Sequence, residues 1–249
     1  MISETPCPKR DDADFPRVLL AIPVYNEEQY IDDVLDAVQP YIDDVLVIDD
    51  GSTDRSRYLL AERTGITVIC HPRNQGYGKT IIDAFSYAAC SGYDWVITMD
   101  CDRQHEPALI PDFVEAIKAD DADIISGSRY LAKSERNGSP PRDRREINRT
   151  FTQLINEKLG LQLTDSFCGF KAHRTSAMKQ LDLTERGYAV PLEFWVQAAA
   201  AKLRVKEIPV HLIYNDPNRS FGGPLDDPTT RLTHYHKVFE QTLEKVGLS

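Results

Sequence analysis

Asp100, Asp102 and Gln104 fall within five residues of one another in WVITMDCDRQHEP (95–107), immediately after a short apolar run. Neighbouring carboxylates repel each other unless water or a cation lies between them. The Asp-x-Asp spacing alone carries little, because it also occurs at Asp12/Asp14 and Asp121/Asp123. Only Asp100 and Asp102 follow the carboxyl end of a buried strand, and in extended backbone residues i and i+2 project to the same side. Gln104 adds a neutral carbonyl oxygen. Such hard oxygen donors suit Mg²⁺ or Mn²⁺, which keep positions open for water and substrate phosphates. His105 beside them is assigned a structural or supporting role.

Two other polar stretches invite chemistry. GYGKT (76–80) lacks the phosphate-loop pattern, since Arg73 stands where a glycine is required. A glycine-rich turn before a helix still brings backbone N–H groups towards a phosphate, and Lys79 adds charge there. In DDGSTD (49–54), Gly51 turns the chain and Ser52, Thr53 or Asp54 caps the next helix. Asp49 and Asp50 are left at a crevice, where a carboxylate accepts hydrogen bonds from a nucleobase or ribose.

The elements that position these residues alternate from Arg17 onwards. The pattern predicts strands at 18–22, 45–49, 66–70, 95–99 and 123–127, with helices at 28–38, 55–63, 79–89 and from Pro107. Nearly continuous apolar strands imply a parallel α/β sheet covered on both faces, with ligands beyond the strands' carboxyl ends. PVYNE, DDGSTD, HPRNQGYGK and DCDRQ then share one rim. Further on, helices are expected at 151–159, 175–181 and 192–202, and a strand at 205–214. From Pro228, Leu232, Tyr235, Phe239, Leu243 and Val246 form one helical stripe, read as core or oligomer contact.

Between Arg129 and Arg149 there are seven basic residues and three acids, in a chain of net charge −10. A local cationic segment in an acidic protein points to an anion site, whereas the overall charge disfavours nucleic acid. Five cysteines without a C-x-x-C pair read as reduced thiols in a cytosolic protein. The first 16 residues are a polar leader without the apolar stretch of a secretion signal. The longest run free of charged residues, 84–93, is ten residues, half of the roughly 20 a membrane span needs. A cytoplasmic protein with, at most, peripheral contact at the inner membrane face is expected.

Taken in order, PVYNEE, VIDDGSTD, NQGYGK, MDCDRQHEP, GSRY, DSFCGF and the Ile-Pro-Val strand resemble family 2 glycosyltransferases, most closely the dolichol-phosphate mannose synthase group, over 17–220. The resemblance implies a GT-A fold, Rossmann-like and mostly parallel, with 17–127 as the nucleotide-sugar and metal half, 128–220 as the acceptor half and 221–249 as a helical tail. It also implies a nucleotide-diphosphate-sugar donor and inversion at the anomeric carbon. Carried over residue by residue, Pro23, Tyr25, Glu27 and Asp50 surround the donor's base and ribose. Asp100, Asp102 and Gln104 form the metal and diphosphate site, with Lys79 nearby. Arg129 and Arg144 grip an acceptor phosphate, Asn148 standing where the group has serine. Arg219 with Ser220 resembles the basic element that closes over donor phosphates, although Phe221 replaces the lysine after it.

A phosphate acceptor is already an oxyanion near pH 7, whereas a hydroxyl acceptor needs a base, for which Asp165 is the candidate. Processive polymer synthesis is disfavoured, because neither tryptophan, Trp95 or Trp195, lies in a Q-x-x-R-W motif. Two other classes fit less well. A sugar-nucleotide nucleotidyltransferase would carry a glycine-rich loop after the first strand, where PVYNE stands; a non-catalytic binder has little need of three metal-type ligands together.

Overall fold

The computed structural model describes residues 15–131, 142–213 and 223–248. Seven strands form one sheet: β1 (Val18–Val24), β2 (Val45–Asp49), β3 (Thr67–Cys70), β4 (Trp95–Thr98), β5 (Ile124–Ser128), β6 (Lys171–Arg174) and β7 (Val205–Pro209). Their order is β3-β2-β1-β4-β6-β5-β7. All pairings are parallel except those of β6, which runs antiparallel to β4 and β5. The helices are α1 (Ile31–Val38), α2 (Ser56–Glu62), α3 (Tyr77–Cys90), α4 (Ile110–Lys118), α5 (Arg142–Leu159), α6 (Thr175–Met178), α7 (Val190–Ala200) and α8 (Pro228–Val246).

Alternation along the strands divides the core into two layers. Leu19 and Ala21 of β1 belong to one core cluster with residues of α3, α5, α7 and α8, whereas Leu20, Ile22 and Val24 belong to another with residues of α1 and α4. Helix α1 buries Ile31, Val34, Leu35 and Val38, the face its spacing predicts. Each such side chain contributes about 1.5–3 kcal/mol on burial.

Three elements depart from the sequence reading. β6 is not expected from K-A-H-R, yet Lys171 and His173 are buried in it. α5 begins at Arg142 rather than near Phe151, so the described part of the basic segment is mostly helical. β7 ends at Pro209. The stripe of α8 is core: Tyr235, Phe239 and Leu243 are buried, and Tyr235 lies edge-on to Phe151 at 5.7 Å. Its ends are fixed chemically. Asp227 accepts from the Thr230 N–H at 2.7 Å, and Gly247 takes the left-handed conformation, φ 74°, that closes a helix. No described helix is long and apolar enough to cross a membrane.

Candidate active site

The carboxyl ends of β1, β2 and β4 open onto one cavity of about 640 Å³. Pro23, Tyr25, Glu27, Asp50, Asp100, Asp102, Gln104, Arg129 and Arg144 all line it, as does Asn148. Lys79 and Asp165 do not. Arg219 and Ser220 lie outside the described residues.

The loops after β1 and β2 are tied into one unit. Asn26 Oδ1 accepts from the Thr53 N–H at 2.7 Å, and the Asn26 N–H donates to Ser52 Oγ at 2.9 Å. Asp54 accepts from the N–H groups of Glu28 and Ser56. The hydroxyls and acid of DDGSTD thus join two loops as much as they start a helix. Asp50 is 3% exposed, and its oxygens accept from the N–H groups of Gln75 and Gly76, each at 2.8 Å, and meet His71 Nδ1 at 2.6 Å. It fixes the floor of the crevice. Tyr25, 42% exposed at the mouth, offers a free aromatic face.

The glycines of GYGKT serve close packing. A Cβ on Gly78 would lie 2.3 Å from the Glu185 carbonyl oxygen, and one on Gly76 would lie 2.2 Å from that of Arg186. Lys79 therefore departs from its expected place at a diphosphate: its ammonium pairs with Asp83, which also meets His71. The neighbouring Tyr77 does reach the site, donating its hydroxyl to Asp100 Oδ1 at 3.1 Å. Burial first, then the charge of Asp100, holds that phenol well above its ordinary pKa, so it stays a neutral donor.

Asp100 and Asp102 line the cavity from a bend beyond β4, which stops at Thr98, so strand alternation does not set their directions. Arg103 holds φ +58°, and the Gln104 N–H donates to Asp102 Oδ1 at 2.9 Å. His105 takes the supporting role expected of it: it stacks on Phe170, ring centroids 5.3 Å apart, and Nδ1 accepts from the Asp100 N–H. Gly169 leaves room for the Asp100 carboxylate, because a Cβ there would lie 2.4 Å from Oδ2. Among the described residues no three His, Cys, Asp or Glu side chains gather as a self-sufficient metal cage. Two carboxylates and one amide match an ion that keeps water and substrate phosphates as ligands, and so fit Mg²⁺ or Mn²⁺.

Arg129, also on the cavity wall, forms a forked pair with Asp165, Nε to Oδ2 at 2.6 Å and Nη2 to Oδ1 at 2.9 Å. Asn148 Nδ2 donates to Asp165 Oδ1 at 2.8 Å, while Asn148 Oδ1 accepts from Thr152. Asp165 is fully buried. Burial alone would raise its pKa, but Arg129 and Asn148 outweigh it and hold the carboxyl at about 2. This corrects its candidacy as a base: it is a sequestered counter-ion with both oxygens engaged. Arg129 itself lines the cavity.

Among the lining residues that sequence reasoning did not single out are Tyr77, Lys171, Arg231 and Tyr235. Tyr77 sits inside the quoted NQGYGK and Lys171 directly follows DSFCGF, and both were overlooked beside their neighbours. Lys171 is buried, donates to the Cys168 carbonyl, and has its pKa lowered by burial. Arg231 and Tyr235 come from the tail, which carried no motif.

Comparison with known proteins agrees with this geometry. Residues 20–182 match glycosyl transferase family 2. The chain is 28% identical over 230 residues to an undecaprenyl-phosphate mannosyltransferase of Micrococcus luteus, covering 88% of this chain and 93% of that one. It is also 28% identical, over 225 residues, to a UDP-N-acetylglucosamine–dolichyl-phosphate N-acetylglucosaminyltransferase of Methanococcus voltae, covering 82% and 89%. Among solved structures, the glucosyl-3-phosphoglycerate synthase of Mycobacterium tuberculosis in complex with phosphoglyceric acid aligns with a TM-score of 0.71 at 18% identity, over 94% of this chain and 81% of that one. That likeness shows the GT-A fold. With a family match across most of the sheet and the motifs in its cavity, the chain belongs to glycosyl transferase family 2 and is a glycosyltransferase.

Proposed function

We propose that this enzyme transfers a hexose, with inversion, from a GDP-mannose- or UDP-glucose-type donor to a polyprenyl or dolichyl phosphate, and that it depends on Mg²⁺ or Mn²⁺. The observation that carries the reading is one cavity lined both by the carboxylates of Asp100 and Asp102 and by the guanidinium groups of Arg129 and Arg144. The donor's base and ribose lie between Pro23, Tyr25 and Glu27, over the floor pinned by Asp50. Its diphosphate reaches Asp102, Asp100 and Gln104. A divalent ion bound there offsets the charge that develops on the departing nucleoside diphosphate.

The acceptor end carries guanidinium groups suited to an anion, and the candidate base Asp165 is already engaged by Arg129 and Asn148. Arg129, kept in one orientation by Asp165, faces the phosphate as a cavity-lining guanidinium, and Arg144 adds a second. A phosphate monoester, second pKa near 6, attacks without losing a proton, so positioning opposite the sugar–phosphate bond is what the protein must supply. A hydroxyl acceptor would need the base that Asp165 cannot be. The lipid-phosphate acceptors named for the relatives support the same choice. The enzyme meets its lipid by peripheral contact from the cytoplasmic side.

Incubation with radiolabelled GDP-mannose or UDP-glucose, Mg²⁺ and a short-chain polyprenyl phosphate tests this. Label is expected in the organic phase with one of the donors. Label that stays in water with both, while donor is consumed on an added hydroxyl acceptor, contradicts the lipid acceptor.

A further inference from the structure

The family match ends at residue 182, yet α8 builds part of the cavity wall through Arg231 and Tyr235. Arg231 is 2% exposed. Its Nη2 donates to Asp143 Oδ2 at 2.7 Å and its Nη1 to the Leu225 carbonyl at 2.9 Å. Asp143 lies in the first turn of α5, with 39% of its side chain exposed, and the next residue is Arg144. Removing a guanidinium from water is costly, and a hydrocarbon side chain of similar volume would fill this place without that cost. A charge kept at such a position has to be used by something near it. Tyr235 marks the neighbourhood: burial pushes its phenol up to about 12, and the charges of both Arg231 and Arg144 oppose that shift. Both cations therefore act on one hydroxyl at the cavity wall.

We propose that Arg231 is a positioning residue of the acceptor end: through Asp143 it fixes the first turn of α5 and so sets Arg144 against the acceptor phosphate. This rests on the reading of the acceptor as a phosphate monoester. The fork of Arg231 spans α8 and α5, so the tail helix becomes part of the acceptor site. Holding Arg144 in place before the anion arrives removes the ordering cost that a mobile arginine would meet on binding.

Calorimetric titration of the full chain with citronellyl phosphate, a ten-carbon water-soluble polyprenyl-type monoester, tests it. GDP and UDP with Mn²⁺ are titrated in parallel. R231M and D143A are each expected to weaken citronellyl phosphate binding about tenfold, and the double variant no further, because the two side chains act as one unit. R231K keeps the charge but loses the forked geometry, and is expected to weaken it a few-fold. Nucleotide affinity should stay at the wild-type value in every variant. The inference is overturned if R231M and R231K bind citronellyl phosphate as wild type does. It is equally overturned if nucleotide and monoester affinity fall in parallel with the melting temperature, the mark of a general structural role. Wild-type protein that binds nucleotide but not citronellyl phosphate would remove the phosphate-acceptor reading, and this inference with it.

Discussion

At the residue scale, the site depends on a few side chains whose partners fix what they can do. Asp102→Asn is expected to lower kcat by about 10²-fold or more with little change in stability, measured by donor turnover and thermal unfolding. Gly169→Ala should mimic part of that loss, because its Cβ would lie 2.4 Å from Asp100 Oδ2 and must push the carboxylate aside. Asp165→Asn should behave differently. It leaves Arg129, whose side chain is 20% exposed, without its counter-ion, at a cost of roughly 2–3 kcal/mol in urea unfolding at pH 7. The pH dependence has a definite sign. The Asp165 carboxyl sits near 2 when folded, against an ordinary 3.8, so its contribution of about 2 kcal/mol is full above pH 4. It is lost as pH falls from 4 towards 2, and the stability gap between wild type and variant should shrink over that window.

At the scale of elements, the close approach between the start of α3 and residues 185–187 is the most sensitive joint. Gly78→Ala should destabilise by about 1–3 kcal/mol and weaken donor binding, because separating these segments disturbs the Tyr77–Tyr188 stack, 5.7 Å between centroids. Differential scanning calorimetry and nucleotide titration check both parts. The five strands of the first half and the face of α1 were legible because each is an apolar run or a 3.6-residue stripe. β6 was not: K-A-H-R has no such pattern, and its Lys171 and His173 are buried by tertiary contacts that no local window contains. Asp100, Asp102 and Gln104 line one cavity, but from a bend beyond β4, which stops at Thr98, and not from the strand alternation the sequence suggested. Lys79 was misplaced for the same kind of reason. Its charge suggested a phosphate, while the use of its neighbours' glycines and of Asp83 depends on segments distant in sequence. Asp165 could be recognised as polar and near the right motif, but only the fold shows that Arg129 already occupies it.

At the scale of the molecule, a sheet with helices on both faces carries a cavity lined by both carboxylates and guanidinium groups, and the C-terminal helix is bound into the same core. Phe239→Ala, removing a fully buried ring from α8, should cost about 3–5 kcal/mol and release the wall that Arg231 and Tyr235 form, seen as lower thermal stability together with weaker acceptor binding. The net charge of −10 leaves the cationic end as a local feature, so binding of a phosphate monoester should be selective over nucleic acid.

The most direct measurement is an anomalous-scattering map from crystals grown with Mn²⁺ and the nucleoside diphosphate that binds. A manganese peak is expected within coordination distance of the Asp100 and Asp102 carboxylates and of both nucleotide phosphates. Bound nucleotide with no peak there, or with those aspartates turned to bulk solvent, would contradict the metal-assisted transfer on which the account rests.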